Sequence, residues 1–107
     1  MDESLGLLAK WWRHRAPILC VIFPPDSLLS ISLNGIITDF SRSGIVVRGE
    51  GRHLALSLMG AQLGPRTTVG PGYAGSPEDF MLQFPYGELV DLVLPCQCRM
   101  LVFREKA

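Results

Sequence analysis

Net charge is what this chain most clearly lacks. Its 10 Lys+Arg balance 10 Asp+Glu. That balance argues against a protein that coats nucleic acid through bulk positive potential, and no DNA partner is expected. A local basic patch is the remaining route to an anion. No apolar run approaches the roughly 18–20 residues that span a bilayer, so no membrane span is expected. The N-terminus opens on Asp2 and Glu3, without the basic-then-apolar order of a secretory signal. Cysteine is scarce and odd in number. Cys20, Cys96 and Cys98 do not make a disulfide framework, and reduced thiols in a cytoplasmic protein fit them best. Histidine is scarcer still, at His14 and His53. With no paired-glutamate motif, P-loop or His-Glu-x-x-His, the expectation is a non-catalytic protein without metal or cofactor.

What is present describes one small domain. In 107 residues, 48% are hydrophobic and 19% charged, which suits a single packed core rather than disorder. Residues 2–15 read as an amphipathic helix with Ser4 as its N-cap. Asp2 and Glu3 at its start and Lys10, Arg13 and Arg15 at its end match the helix dipole. Leu5, Leu8 and Trp12 are spaced for the buried face, with Leu7 and Trp11 beside them, and Pro17 stops the helix. Trp12 is thus assigned to the core; an exposed Trp11 would mark a contact surface.

Beyond Pro17 the periodicity turns strand-like. Ile18–Phe23 is an apolar β run, and Pro24-Pro25-Asp26-Ser27 is a turn. Leu29–Phe40 is a longer strand in which Asn34-Gly35 is either a hairpin turn or a bulge or bend. Gly44–Arg48 is a strand, Gly49-Glu50-Gly51 a turn, and His53–Met59 an alternating strand. Residues 60–77 hold five glycines and three prolines and read as a long loop. Asp79–Phe84, Glu88–Leu94 and Gln97–Arg104 are further strands, with Pro85-Tyr86-Gly87 a turn. The sum is an all-β fold: a small antiparallel barrel or sandwich of six to seven strands with a short N-terminal helix. Residues 1–16 form the helical segment and residues 17–107 the β-barrel domain carrying the 60–77 loop.

Three patterns bear on chemistry. Gly70-x-Gly72-x-x-Gly75 matches a dinucleotide fingerprint in form only, because Pro71 and Pro77 make a loop where a strand and helix are required. Cys96-x-Cys98 falls short of the four ligands of a zinc site and reads as two side chains packing inward from one strand face. The polar turn Asp39-Phe40-Ser41-Arg42-Ser43-Gly44 has two readings. One is an Asx-type turn closing a hairpin, with Gly44 supplying a positive φ. The other is a ligand-facing turn, in which Asp39 accepts from a base edge and Ser41 adds a hydrogen bond.

Asp39-x-Ser41-x-x-Gly44, set between Gly35-Ile36-Ile37-Thr38 and Ile45-Val46-Val47, resembles the second motif of the PilZ family. The resemblance implies a six-stranded antiparallel barrel that binds the bacterial second messenger cyclic di-GMP and signals to a protein partner. It assigns ligand contacts to Asp39, Ser41 and Gly44. The family's first motif, Arg-x-x-x-Arg, clamps the ligand phosphates; here Arg13-x-Arg15 occupies its place, with Lys10 upstream. The resemblance is therefore to a degenerate member, which either binds the nucleotide through Arg13 and Arg15 or has become an interaction module. Gly35–Phe40 followed by Ile45-Val46-Val47 also resembles the strand pattern of Sm-like barrels, implying instead an oligomer that binds RNA or a protein.

Overall fold

The computed structural model describes residues 2–25, 30–64 and 88–104. Among these residues one helix, α1 (Asp2–His14), precedes seven strands. These are β1 (Ile18–Phe23), β2 (Ile31–Ser41), β3 (Gly44–Gly49), β4 (Arg52–Ser57), β5 (Gln62–Leu63), β6 (Glu88–Val93) and β7 (Arg99–Arg104). The strands pair antiparallel throughout in the order β4-β3-β2-β1-β7-β6-β5. The fold is all-β with one N-terminal helix, and among the described residues the ladder is an open sheet. Of the sequence expectations, the strand at Asp79–Phe84, the turn at Pro85–Gly87, the Gly70–Gly75 pattern and most of the 60–77 loop lie outside the described residues. So does the second half of the turn after Pro25.

The sheet buries its two faces unequally. The main core takes Leu8 and Trp11 from α1, Ile18, Cys20 and Ile22 from β1, Ile37 and Val47 from β2 and β3, and Val90, Leu92, Met100 and Val102 from β6 and β7. A second cluster lies on the opposite face of β1, β6 and β7: Val21, Leu89, Leu101 and Phe103. Central strands β1 and β7 are therefore apolar at successive positions, whereas edge strand β4 alternates exposed and half-buried residues.

Two glycines fix how closely β2 and β3 approach. A Cβ on Gly35 would strike the Arg48 carbonyl, and one on Gly49 would strike the Asn34 carbonyl. Asn34-Gly35 is thus neither a turn nor a bulge. It is a point of backbone contact inside a continuous strand. The bulge lies at Thr38, between the Ile37↔Val47 and Asp39↔Val46 pairs. The Gly49–Arg52 link holds two residues, Glu50 (φ 55°) and Gly51 (φ 73°), both positive as a type I′ hairpin turn requires.

The helix corrects two sequence expectations. Ser4 is not its N-cap, because the helix already begins at Asp2. Ser4 sits on the buried face with Leu8 and Trp11, at i, i+4 and i+7, and its hydroxyl has no partner among the described residues. Trp11, not Trp12, is the core tryptophan: it is fully buried, while Trp12 is 38% exposed. The C-terminus is closed by a Schellman pair, with Ala16 N–H donating to Trp11 O (3.0 Å) and Arg15 N–H to Trp12 O (3.3 Å). This puts Arg15 at the left-handed position usually given to glycine, at φ 48°. Arg15→Gly is expected to raise stability by about 0.5–1 kcal/mol, read as a higher urea midpoint. A lower midpoint would show that the arginine side chain contributes more than the strain costs.

Candidate functional site

Alternation along the β2–β3 hairpin sorts its residues into two faces. After the bulge, Phe40 lies opposite Ile45 on the core side, while Asp39 lies opposite Val46 and Ser41 opposite Gly44 on the outer face. Asp39 and Ser41 are both exposed. The Thr38 hydroxyl donates to Asp39 Oδ2 (3.1 Å) and also lies 3.4 Å from the Val46 carbonyl. Ser41 Oγ accepts from the Ser43 N–H (3.2 Å) and shares a hydrogen bond with Ser43 Oγ (2.9 Å). The hairpin is closed by the serine, not by the aspartate. Asp39 stands two residues ahead of the turn with its carboxylate in solvent.

Gly44 requires a correction. Among the described glycines, positive φ occurs at Gly51 and Gly60, not at Gly44. What demands glycine there is the neighbouring strand: a Cβ would sit 2.8 Å from the Leu56 carbonyl on β4. Gly44 keeps β3 close to β4 and does not open the turn through a positive φ.

The end of α1 reaches this hairpin through Trp12. Its indole Nε1–H donates to the Thr38 carbonyl (3.2 Å), and its ring packs on Phe40 with centroids 5.9 Å apart and planes tilted by 35°. Both contacts flank Asp39 in sequence. Arg13, His14 and Arg15, which follow Trp12, are all exposed. The structure therefore brings the basic end of the helix to the strand that carries Asp39 and Ser41. It does not join them directly: among the described residues neither Arg13 nor Arg15 forms an ion pair with Asp39. Trp11 is unavailable to any ligand, being wholly in the core, and its N–H has no partner among the described residues.

No protein-family model, curated protein or solved structure matches the chain.

Sequence reasoning passed over the residues below this seam. A shallow depression of about 300 Å³ is lined by Pro17, Ile18, Asn34, Gly35 and Ile36. At its rim the Asn34 amide donates to Glu50 Oε1 (3.3 Å), and Arg52 Nη2 donates to Glu50 Oε2 (2.9 Å) and to the Ser32 carbonyl (3.0 Å). The Arg52 and Asn34 bonds hold the Glu50 carboxyl below its ordinary range. The signal was Asn34-Gly35, which suggests a turn when read without its partner strand. Elsewhere, among the described residues, no three His, Cys, Asp or Glu side chains converge as metal ligands would. No described helix is long and apolar enough to cross a membrane.

The two close cysteines are not on a strand. They lie in the 94–98 link between β6 and β7, with Cys96 exposed and Cys98 half-buried against the core. Shared inward packing, expected from a strand's alternation, fails because neither residue lies on a strand and only Cys98 packs against the core. Cys20 is fully buried, and burial pushes its thiol up to about 12.

Proposed function

We propose that the chain is a non-catalytic PilZ-like module that takes cyclic di-GMP at the seam between the end of α1 and the β2–β3 hairpin and relays occupancy to a protein partner. The observation that carries this reading is the Trp12 anchor, which ties the basic end of α1 to the strand that bears Asp39. Arg13 and Arg15 supply exposed guanidinium groups for the two phosphates, and Asp39 supplies an exposed carboxylate for the donor edge of a guanine. Ser41 contributes one further acceptor from the same outer face. The relay is positional. A ligand that engages both sides strengthens the docking of α1 on β2 and so favours one setting of the helix surface.

A ligand that binds only the native state raises its stability by RT ln(1 + [L]/Kd). At roughly ten times Kd that is about 1.4 kcal/mol, or ~5–10 °C in melting temperature for a domain of this size. Cyclic di-GMP is expected to produce this shift in the intact chain, and Asp39→Ala and Arg13→Ala are each expected to reduce it. No shift at millimolar ligand removes the nucleotide from the reading.

The ends of the ladder support a second reading. Among the described residues, strands β4 and β5 each have a neighbour on one side only, and Met59 and Leu63 at these ends are 67% and 50% exposed. Unpaired edges invite pairing between copies, as an Sm-like ring would use. Size-exclusion chromatography separates the two: a six- or seven-fold assembly supports the ring, and a monomer or dimer supports the PilZ-like module.

A further inference from the structure

The β6–β7 hairpin carries a pair of thiols that the nucleotide reading does not use. We propose that Cys96-Gln97-Cys98 is a thiol–disulfide exchange site, at which Cys96 attacks a low-molecular-weight disulfide and Cys98 resolves the product. The turn is held at two points. Leu94 N–H donates to the Cys98 carbonyl and Gln97 N–H to the Leu94 carbonyl, both at 2.8 Å. Between the cysteines, Gln97 takes a left-handed conformation at φ 70°, rare for a residue with a side chain. Such a conformation persists only where its surroundings impose it, and it often marks a working segment. Successive α-carbons are ~3.8 Å apart, so a bent Cys-x-Cys unit lies within the ~4.4–6.8 Å that a disulfide spans.

Exposure and hydrogen bonding assign the two roles. Cys96 is exposed and Cys98 half-buried, so an external disulfide meets Cys96 first. The Cys98 backbone N–H and then its thiol donate to the Cys96 sulfur, holding the Cys96 thiol below its ordinary range. Donating that bond, together with partial burial, pushes the Cys98 thiol up. The more readily ionised sulfur is thus also the accessible one, the combination that distinguishes an attacking cysteine from a resolving one. Cys20 cannot compete, being buried in the main core.

The exchange has two steps. The Cys96 thiolate attacks one sulfur of R–S–S–R, forming Cys96–S–S–R and expelling RS⁻. Cys98 then loses its proton to solvent and attacks the Cys96 sulfur, forming the Cys96–Cys98 bond and expelling a second RS⁻. The protein is oxidised by two electrons, and the small disulfide is reduced to two thiols. This inference is independent of nucleotide binding.

The test uses the reduced, intact chain with oxidised glutathione, trapped by alkylation and read by mass spectrometry. The expected product has lost two hydrogens, with Cys96 and Cys98 joined and Cys20 still a free thiol. Cys98→Ser is expected to stop at a glutathione adduct on Cys96. Cys96→Ser is expected to consume the disulfide at least about tenfold more slowly. A wild-type product carrying only adducts, no consumption of disulfide, or a Cys96→Ser rate equal to wild type overturns the proposal.

Discussion

Arg99→Met is expected to cost about 3–5 kcal/mol of folding stability, because it takes a forked guanidinium away from a fully buried carboxylate, Asp91. Asp91 is fully buried on β6 and lies opposite Leu101, on the face shared by Val21, Leu89 and Phe103. Arg99 meets it in a forked geometry, with Nε donating to Oδ1 (3.0 Å) and Nη2 to Oδ2 (2.6 Å). The backbone closes in just past β5, where Gly64 N–H donates to the Asp91 carbonyl (2.8 Å) and a Cβ on Gly64 would collide with the Asp91 carboxylate. Removing the guanidinium leaves a desolvated charge without its bidentate partner, and the penalty falls on the charge that remains. Replacing both partners removes that penalty. Asp91→Leu with Arg99→Met is therefore expected to recover at least half of the single variant's loss, in an apolar setting that already holds leucine, valine and phenylalanine. Urea unfolding of the two variants against wild type measures this. An Arg99→Met midpoint within about 1 kcal/mol of wild type would show that the pair contributes little.

The ion pair was invisible in the sequence because it joins residues 91 and 99 across a register that only the β6–β7 pairing defines. The strands were far more legible. Ile18–Phe23 has the expected bounds, since a short apolar, β-branched run between prolines admits few other readings. Gly44–Arg48 and His53–Met59 are displaced from the observed β3 and β4 by one or two residues at their ends. Glu50-Gly51 was legible as a turn because glycine at that spacing between two alternating runs supplies the positive φ the link needs. What failed was glycine whose cause lies on another strand. Gly35 and Gly44 are required by carbonyls of Arg48 and Leu56, and no local pattern distinguishes that demand from a turn. The candidate site was half legible for the same reason. The Asp39–Ser41 pattern is local, but the arrival of α1 at Thr38 depends on which tryptophan turns inward. The cysteines failed at a boundary. The strand expected from Gln97 begins only at Arg99 and the one expected to reach Leu94 stops at Val93, so the alternation argument applied to Cys96 and Cys98 has no strand to act on.

The two tryptophans make that dependence measurable. Trp11→Ala is expected to cost about 3–5 kcal/mol, the range for deleting a large, fully buried aromatic side chain. Trp11→Phe is expected to cost only about 1 kcal/mol, because the ring volume is largely kept and the indole N–H it removes has no partner among the described residues. Trp12→Ala should also cost about 1 kcal/mol, for one hydrogen bond to the Thr38 carbonyl and one ring contact with Phe40 at a position already 38% exposed. Urea unfolding midpoints order the three, and a Trp12→Ala loss equal to or above that of Trp11→Ala would reverse the assignment of core and seam. The smaller stability effect at Trp12 carries the larger consequence for the site. Trp12 is the contact that ties the basic end of α1 to the strand bearing Asp39. On the proposed function, Trp12→Ala should abolish most of the thermal shift with cyclic di-GMP, whereas Trp11→Phe, at a similar cost in stability, should leave that shift in place.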